Sequence, residues 1–226
     1  MILLPGPKAR EFQRRLLHWD VRGKRSLPWR QHSRTAYEVL IAELLLRKTG
    51  MVTVRRVYDE FLARFPSPDE LARAEIAEIG AVIGVLGLAD RARLLKAMAH
   101  QLIEIHSGQV PRSKAELKKL AGVGDYTAHA VLCFAYGKSL PLVDSNVVRV
   151  LQRVFSFKSS KRRPHTDPVL WQASYEVIAG APPVRANQAL LDFAGTVCVH
   201  RNPKCDSCPM RDLCDYFQAR GDQSRA

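Results

Sequence analysis

Four cysteines crowd into the last thirty residues of this 226-residue chain: Cys198, Cys205, Cys208 and Cys214, separated by six, two and five residues. A loop that short can wrap four thiolates around one centre, and four soft sulfur ligands suit either a zinc ion or a cubane iron–sulfur cluster. Zinc ribbons usually pair two separated Cys-x-x-Cys knuckles, whereas here Cys205 and Cys208 make the one such pair. Thiols used in this way point to a reducing compartment rather than to a secreted disulfide framework. The fifth cysteine, Cys133, stands alone in an apolar stretch and reads as a small core residue.

Two carboxylates and a tyrosine are the other candidates for chemistry. Glu43 lies inside Tyr37-Glu38-Val39-Leu40-Ile41-Ala42-Glu43-Leu44-Leu45-Leu46, a run apolar enough for a buried helix, where a carboxylate is costly without a partner or a task. The plain reading is a Glu that reaches solvent from the helix edge. Asp144, in Pro141-Leu142-Val143-Asp144-Ser145-Asn146-Val147, is placed either to cap the helix that follows or to serve as a catalytic carboxylate, and the two roles are compatible. Tyr126 lies eighteen residues before it, just past Gly122-Val123-Gly124-Asp125. Its phenol is available to orient water or a sugar, or simply to pack at a helix start.

The elements that must position these groups are helical. Apolar residues recur at spacings of three and four in 11–19, 52–65, 91–106 and 147–155, and β-branched alternation is nearly absent. Ser67-Pro68-Asp69-Glu70 opens one helix, and Ser113 with Glu116 predicts a capping box for another. Breakers at Leu27-Pro28, Phe65-Pro66, 84–87, 108–111 and Pro182-Pro183 set the limits. Residues 116–127 read as a helix, a tight Gly-x-Gly turn and a second helix start, with glycines supplying positive φ and close backbone approach. Amide groups at the second helix's N-terminus make an anion site suited to one DNA phosphate, although a plain helix–helix turn would look the same.

Composition is consistent with that partner. The net charge is +13 with 46% hydrophobic residues, the balance of a globular protein facing a polyanion, nucleic acid first. No apolar run of membrane-spanning length occurs, and residues 1–10 lack a signal-peptide pattern, so no membrane role and a cytoplasmic location are expected. The basic stretch 158–163 reads as a solvated loop, and 218–226 as a disordered tail.

The hairpin, the Asp144 that follows it and the cysteine run together resemble the endonuclease III superfamily of helix–hairpin–helix, iron–sulfur DNA glycosylases. Matching segments run from Leu27-Pro28-Trp29-Arg30 to Cys214. The resemblance implies an all-α fold of two helical lobes: a six-helix barrel over 28–137, and an iron–sulfur domain built from 1–27 and 138–226. It implies a [4Fe–4S] cluster on Cys198, Cys205, Cys208 and Cys214, in a loop whose Arg201, Lys204 and Arg211 help grip DNA. Double-stranded DNA containing a mismatched base would bind a monomer across the cleft between the lobes. Gly122, Val123, Gly124 and Thr127, with Lys118 and Lys119, would hold its backbone. Asp144 would be the catalytic carboxylate, with Tyr126 opposite.

Departures from the pattern refine this expectation. Endonuclease III proper places a Schiff-base lysine where this chain has Tyr126, so strand cutting is not expected. Glu at the position of Glu43 resembles the adenine- and thymine-removing branches, where it faces the extruded base, and burial favours its neutral form. After Leu46 the adenine branch carries two glutamines, whereas Arg47-Lys48-Thr49 is similar to the basic pair of thymine-DNA glycosylases. Arg47 and Lys48 would fill the gap left by the flipped base or clamp the strand; a solvated helix end is the plain alternative. With so few residues after Cys214, the extra domain of adenine enzymes is not expected. A thymine or uracil mismatch glycosylase is therefore expected, with an adenine glycosylase or a non-catalytic mismatch binder as alternatives. Asp125 is a departure, putting negative charge beside the phosphate site where it complements the helix dipole.

Overall fold

The computed structural model describes residues 6–20, 26–87 and 90–223, and among them the chain is helical with no strand. In order come α1 (Gly6–Asp20), α2 (Ala36–Leu46), α3 (Met51–Arg64), α4 (Pro68–Arg73), α5 (Ile76–Ile83), α6 (Arg91–His106), α7 (Lys114–Leu117), α8 (Asp125–Phe134), α9 (Ser145–Phe155), α10 (Pro168–Ile178), α11 (Pro183–Thr196) and α12 (Asp215–Gln223). The chain divides into two compact units, one of Ser26–Lys138 and one of Met1–Arg25 with Ser139–Ala226. None of the described helices is long and apolar enough to cross a membrane.

The continuous unit is built around α2, buried on every face from Tyr37 to Leu45 except at Glu38. Such a helix carries its polar demands at its ends. Thr35 accepts the Glu38 amide while the Glu38 carboxylate accepts the Thr35 amide, a full capping box. Tyr37 donates to the Phe65 carbonyl at 3.0 Å and Tyr58 to that of Glu38 at 3.0 Å, so both buried phenols are satisfied. Trp29 meets Tyr58 edge to face at 5.5 Å. At α7 the predicted capping box is half made: Ser113 accepts the Glu116 amide at 3.2 Å, but the Glu116 carboxylate takes Lys119 at 2.8 Å instead.

In the discontinuous unit, α1 packs on α10 and α11. Phe12 stacks edge-on against Phe155 at 5.4 Å and Phe193 at 5.9 Å, and Trp19 against Phe193 at 5.7 Å. Lys8 pairs with Asp215, and Arg15 bridges Glu11 and Asp212, so α1 is also tied to the C-terminal segment. Residues 218–223 belong to α12, contrary to the disordered tail expected there, and 224–226 lie outside the described residues.

Between Leu140 and Asp144 the chain belongs to no helix, and its polar groups need partners from elsewhere. Asn187 supplies them from α11: its Oδ1 accepts the Leu142 amide at 3.1 Å, and its Nδ2 donates to Leu140 O at 2.9 Å and Pro183 O at 3.0 Å. Ser174 donates to Leu142 O at 3.4 Å, and both side chains are wholly buried. Asn187→Ala leaves a buried donor and acceptor unmatched, an expected loss of about 3 kcal/mol. Thermal unfolding should then begin lower by about 5–10 °C, read by circular dichroism.

Candidate active site and cysteine pocket

Asp144 is the N-cap of α9. Its Oδ1 accepts the amides of Asn146 at 2.9 Å and Val147 at 2.7 Å, and its Oδ2 accepts Asn146 Nδ2 at 2.8 Å. Three donors converge on a half-buried side chain at the positive end of a helix dipole, so a negative carboxylate is held in one orientation there. The capping and the catalytic readings of this residue require the same geometry.

In the other unit, Glu43 is 6% exposed on α2, which packs against α8. Burial pushes the Tyr58 phenol well above its ordinary value, with charges including Glu43 modulating it. Tyr126 is half-buried in the first turn of α8, and Thr127 is buried beside it. Asp144 lies in one unit, and Glu43 and Tyr126 in the other.

The hairpin's two glycines, both read from sequence as supplying positive φ and close approach, are not equivalent. Gly122 has φ +81°, and a Cβ there would collide with Leu94 Cδ2 and come within 2.9 Å of Arg47 Nη1. Gly124 is extended at φ −100°, and a Cβ on it would meet nothing within 4 Å. The positive-φ requirement within the hairpin thus falls on Gly122 alone, while Gly124 is the N-cap of α8 without a side-chain cap, and it and Asp125 are exposed. Val123 between them is buried.

Both hairpin lysines already have partners. Asp125 Oδ1 stands 3.0 Å from the Nζ of Lys118 and 3.0 Å from that of Lys114, and Lys119 pairs with Glu116. The Lys118 hydrogen bond, then Lys114, holds the Asp125 carboxyl below its usual range. The acid that departs from the family pattern is the counterion of two neighbouring lysines, Lys114 and Lys118.

Arg47 and Lys48 follow α2. Arg47 Nη1 donates to Gly122 O at 2.9 Å, so its side chain is turned onto the hairpin, and Lys48 has a left-handed φ of +54° and is exposed. What shapes this loop escaped sequence reasoning. Arg91, only 5% exposed, donates to Leu45 O at 2.8 Å, Arg47 O at 2.7 Å and Thr49 Oγ1 at 2.9 Å. Burial, then the nearby Arg47 charge, pulls its pKa down. No local signal marks Arg91, because its partners lie more than forty residues away. Asn187 was equally silent about its role, although an Asn on an apolar helix face is a sign of a buried hydrogen-bond hub.

Cys198, Cys205, Cys208 and Cys214 line one pocket with Val154, Met210 and Tyr216. Burial pushes the Cys208 thiol up to about 11, with the other three thiols adding to it, and burial raises Cys214 as well. Arg153 Nη1 lies 3.7 Å from Cys198 Sγ and donates to Val199 O at 2.7 Å, and Arg149 Nε donates to Cys198 O at 2.7 Å. Among the described residues, no group of three or more His, Cys, Asp or Glu is arranged to hold a single metal ion.

Comparison with known proteins follows the same lines. A thymine/uracil-DNA glycosylase of Pyrobaculum aerophilum is 43% identical over 224 residues, 96% of this chain and 97% of that protein. An adenine DNA glycosylase of Rattus norvegicus is 34% identical over 93% of this chain, which spans 42% of its length. A solved thermostable thymine-DNA glycosylase superposes with a TM-score of 0.88 at 34% identity, covering 94% of this chain and 98% of its own. An endonuclease III bound non-covalently to DNA has the same fold, with a TM-score of 0.82 at 24% identity over 97% of this chain and 99% of its own. Residues 41–173 match the model of the HhH-GPD superfamily base excision DNA repair proteins, and the chain belongs to that family.

Proposed function

We propose that this protein is a monofunctional glycosylase that hydrolyses the N-glycosidic bond of thymine or uracil mispaired with guanine in duplex DNA. The observation that carries the substrate class is the 43% identity to a thymine/uracil-DNA glycosylase along nearly the whole of both chains. The adenine DNA glycosylase of Rattus norvegicus is less similar, at 34% identity. The basic Arg47 and Lys48, in place of a glutamine pair, support the same choice.

The nucleotide must leave the stack before the bond can be reached, at a cost of about a few kcal/mol that is least at a mismatch. Arg47 and Lys48 are proposed to occupy the vacated space. The exposed amides at Gly124 and the start of α8, with Thr127, would hold one backbone phosphate. As the C1′–N bond breaks, positive charge builds on the sugar, and the fixed Asp144 carboxylate stabilises it or accepts a proton from the attacking water. Water supplies oxygen to C1′, and the departing base takes up a proton, for which the buried Glu43 is the proposed donor. Tyr126 has no amine with which to form a Schiff base, so the product is an abasic site in an uncut strand.

Four thiols around one pocket fit a [4Fe–4S] cluster, in which each sulfur binds its own iron and no three need converge on a single ion. When bound, the cluster would fix the 198–214 loop as a covalent cross-link, and the chain's own Arg149 and Arg153 brace the backbone around it. A monomer acting in the cytoplasm completes the reading.

Single-turnover base release from T:G, U:G, A:G and A:8-oxoguanine duplexes tests the proposal. Release from T:G and U:G, with strand breaks only after alkali, is the expected result; release of adenine alone would sink the substrate assignment. Asp144→Asn keeps an N-cap of equal quality. It should slow base release by about 10²–10⁴-fold while duplex affinity is retained. Asp125→Asn frees Lys118 and Lys114, so affinity for any duplex should rise and its salt dependence steepen. The purified protein should be brown with about four irons per chain and no zinc, by elemental analysis.

A further inference from the structure

The hairpin presents few free cations. Lys114 and Lys118 share Asp125, and Lys119 is paired with Glu116. Among the described residues, a run of exposed positive charge lies elsewhere, in the loop that leaves the C-terminal end of α9. Lys158, Lys161, Arg162 and Arg163 are all exposed, and among the described residues none of the four has an acidic partner within ion-pair distance.

This loop is built rather than merely solvated. Ser156 ends α9 in the left-handed region at φ +55°, and Phe157 is buried. Asp167, 5% exposed, caps α10 by accepting the Val169 amide at 3.0 Å and also accepts Ser159 Oγ at 2.6 Å. Ser159 in turn accepts the Lys161 amide at 3.1 Å. A 3₁₀ turn at Pro164–Thr166 closes the segment, and Trp171 Nε1 donates to His165 O at 2.9 Å. The one buried acid of the segment is spent on backbone and hydroxyl contacts, so it fixes the loop without neutralising it.

We propose that residues 158–163 form a second contact with the DNA backbone, separate from the hairpin, and contribute sequence-independent affinity. Helix α9 carries Asp144 at its start and the loop at its end, and its eleven residues span about 16 Å. That length is about five base pairs of rise at 3.4 Å per step along a strand, so both ends of α9 can address one duplex. A fixed loop loses little conformational entropy on binding, and each phosphate it neutralises releases counterions. The inference rests on the reading that the protein acts on duplex DNA.

Affinity for a matched and a T:G duplex, measured by fluorescence anisotropy across a salt series, tests it. Replacement of Lys158, Lys161, Arg162 and Arg163 together by Gln should reduce the slope of log K against log salt by up to about 3.6, near 0.9 for each of the phosphates lost. Affinity should fall by the same factor, more than tenfold, for both duplexes. The single variant Arg162→Glu should show the same change in smaller measure, which guards against a folding fault in the multiple variant. Unchanged slopes overturn the proposal, as does a loss confined to the T:G duplex. Because binding is read without catalysis, a wild type that releases no base would sink the proposed activity yet leave this measurement intact.

Discussion

Arg91 carries a full positive charge into the interior of the continuous unit, where no carboxylate meets it in the observed contacts. Its partners are instead the carbonyls that α2 cannot satisfy at its own C-terminus, together with one hydroxyl from Thr49. The negative end of a helix dipole and an arginine fork are complementary in charge and in geometry. This contact turns the chain out of α2 at a fixed angle and so decides where Arg47 can reach. Arg47 reaches the carbonyl of Gly122, which alone in the hairpin needs a left-handed backbone and cannot accept a Cβ. The start of α8, and with it Tyr126, follows from there.

The same economy recurs in the second unit. Asp144 is both a cap and a candidate catalytic group, because the three donors that stabilise a helix terminus also hold a carboxylate still. Asn187 and Ser174 anchor the non-helical segment leading into it, so its position depends on packing between α9, α10 and α11. Electrostatics at the hairpin are moderated in turn: Asp125 keeps two lysines occupied, which lowers the general stickiness of a strongly basic protein toward polyanions.

Much of this was legible in the sequence because it depends on local rules. Helical periodicity, the Ser67 cap and the bunched cysteines are short-range patterns, and the hairpin's place follows from its glycines. Asp144 could be singled out since a capping residue needs only its next three neighbours. Arg91, Asn187 and the Lys114–Asp125–Lys118 bridge were hidden, because each joins residues brought close only by folding. The helical ending at 218–223 was also missed: a polar composition resembles disorder until Phe217 is seen packed against the core, with Arg211 over its ring and Arg153 over that of Tyr216.

The packing of α1 bears on how the chain is made. Phe12 finds Phe155 and Phe193 only after about 180 more residues have been synthesised, roughly 10–40 s at usual ribosomal rates. The intervening unit of Ser26–Lys138 is continuous and can fold while translation proceeds. An amphipathic helix with bulky aromatics must therefore wait, unpaired, for its partners to emerge. During that interval the nascent chain exposes Phe12, Leu16 and Trp19, an exposed apolar face of the kind general chaperones bind.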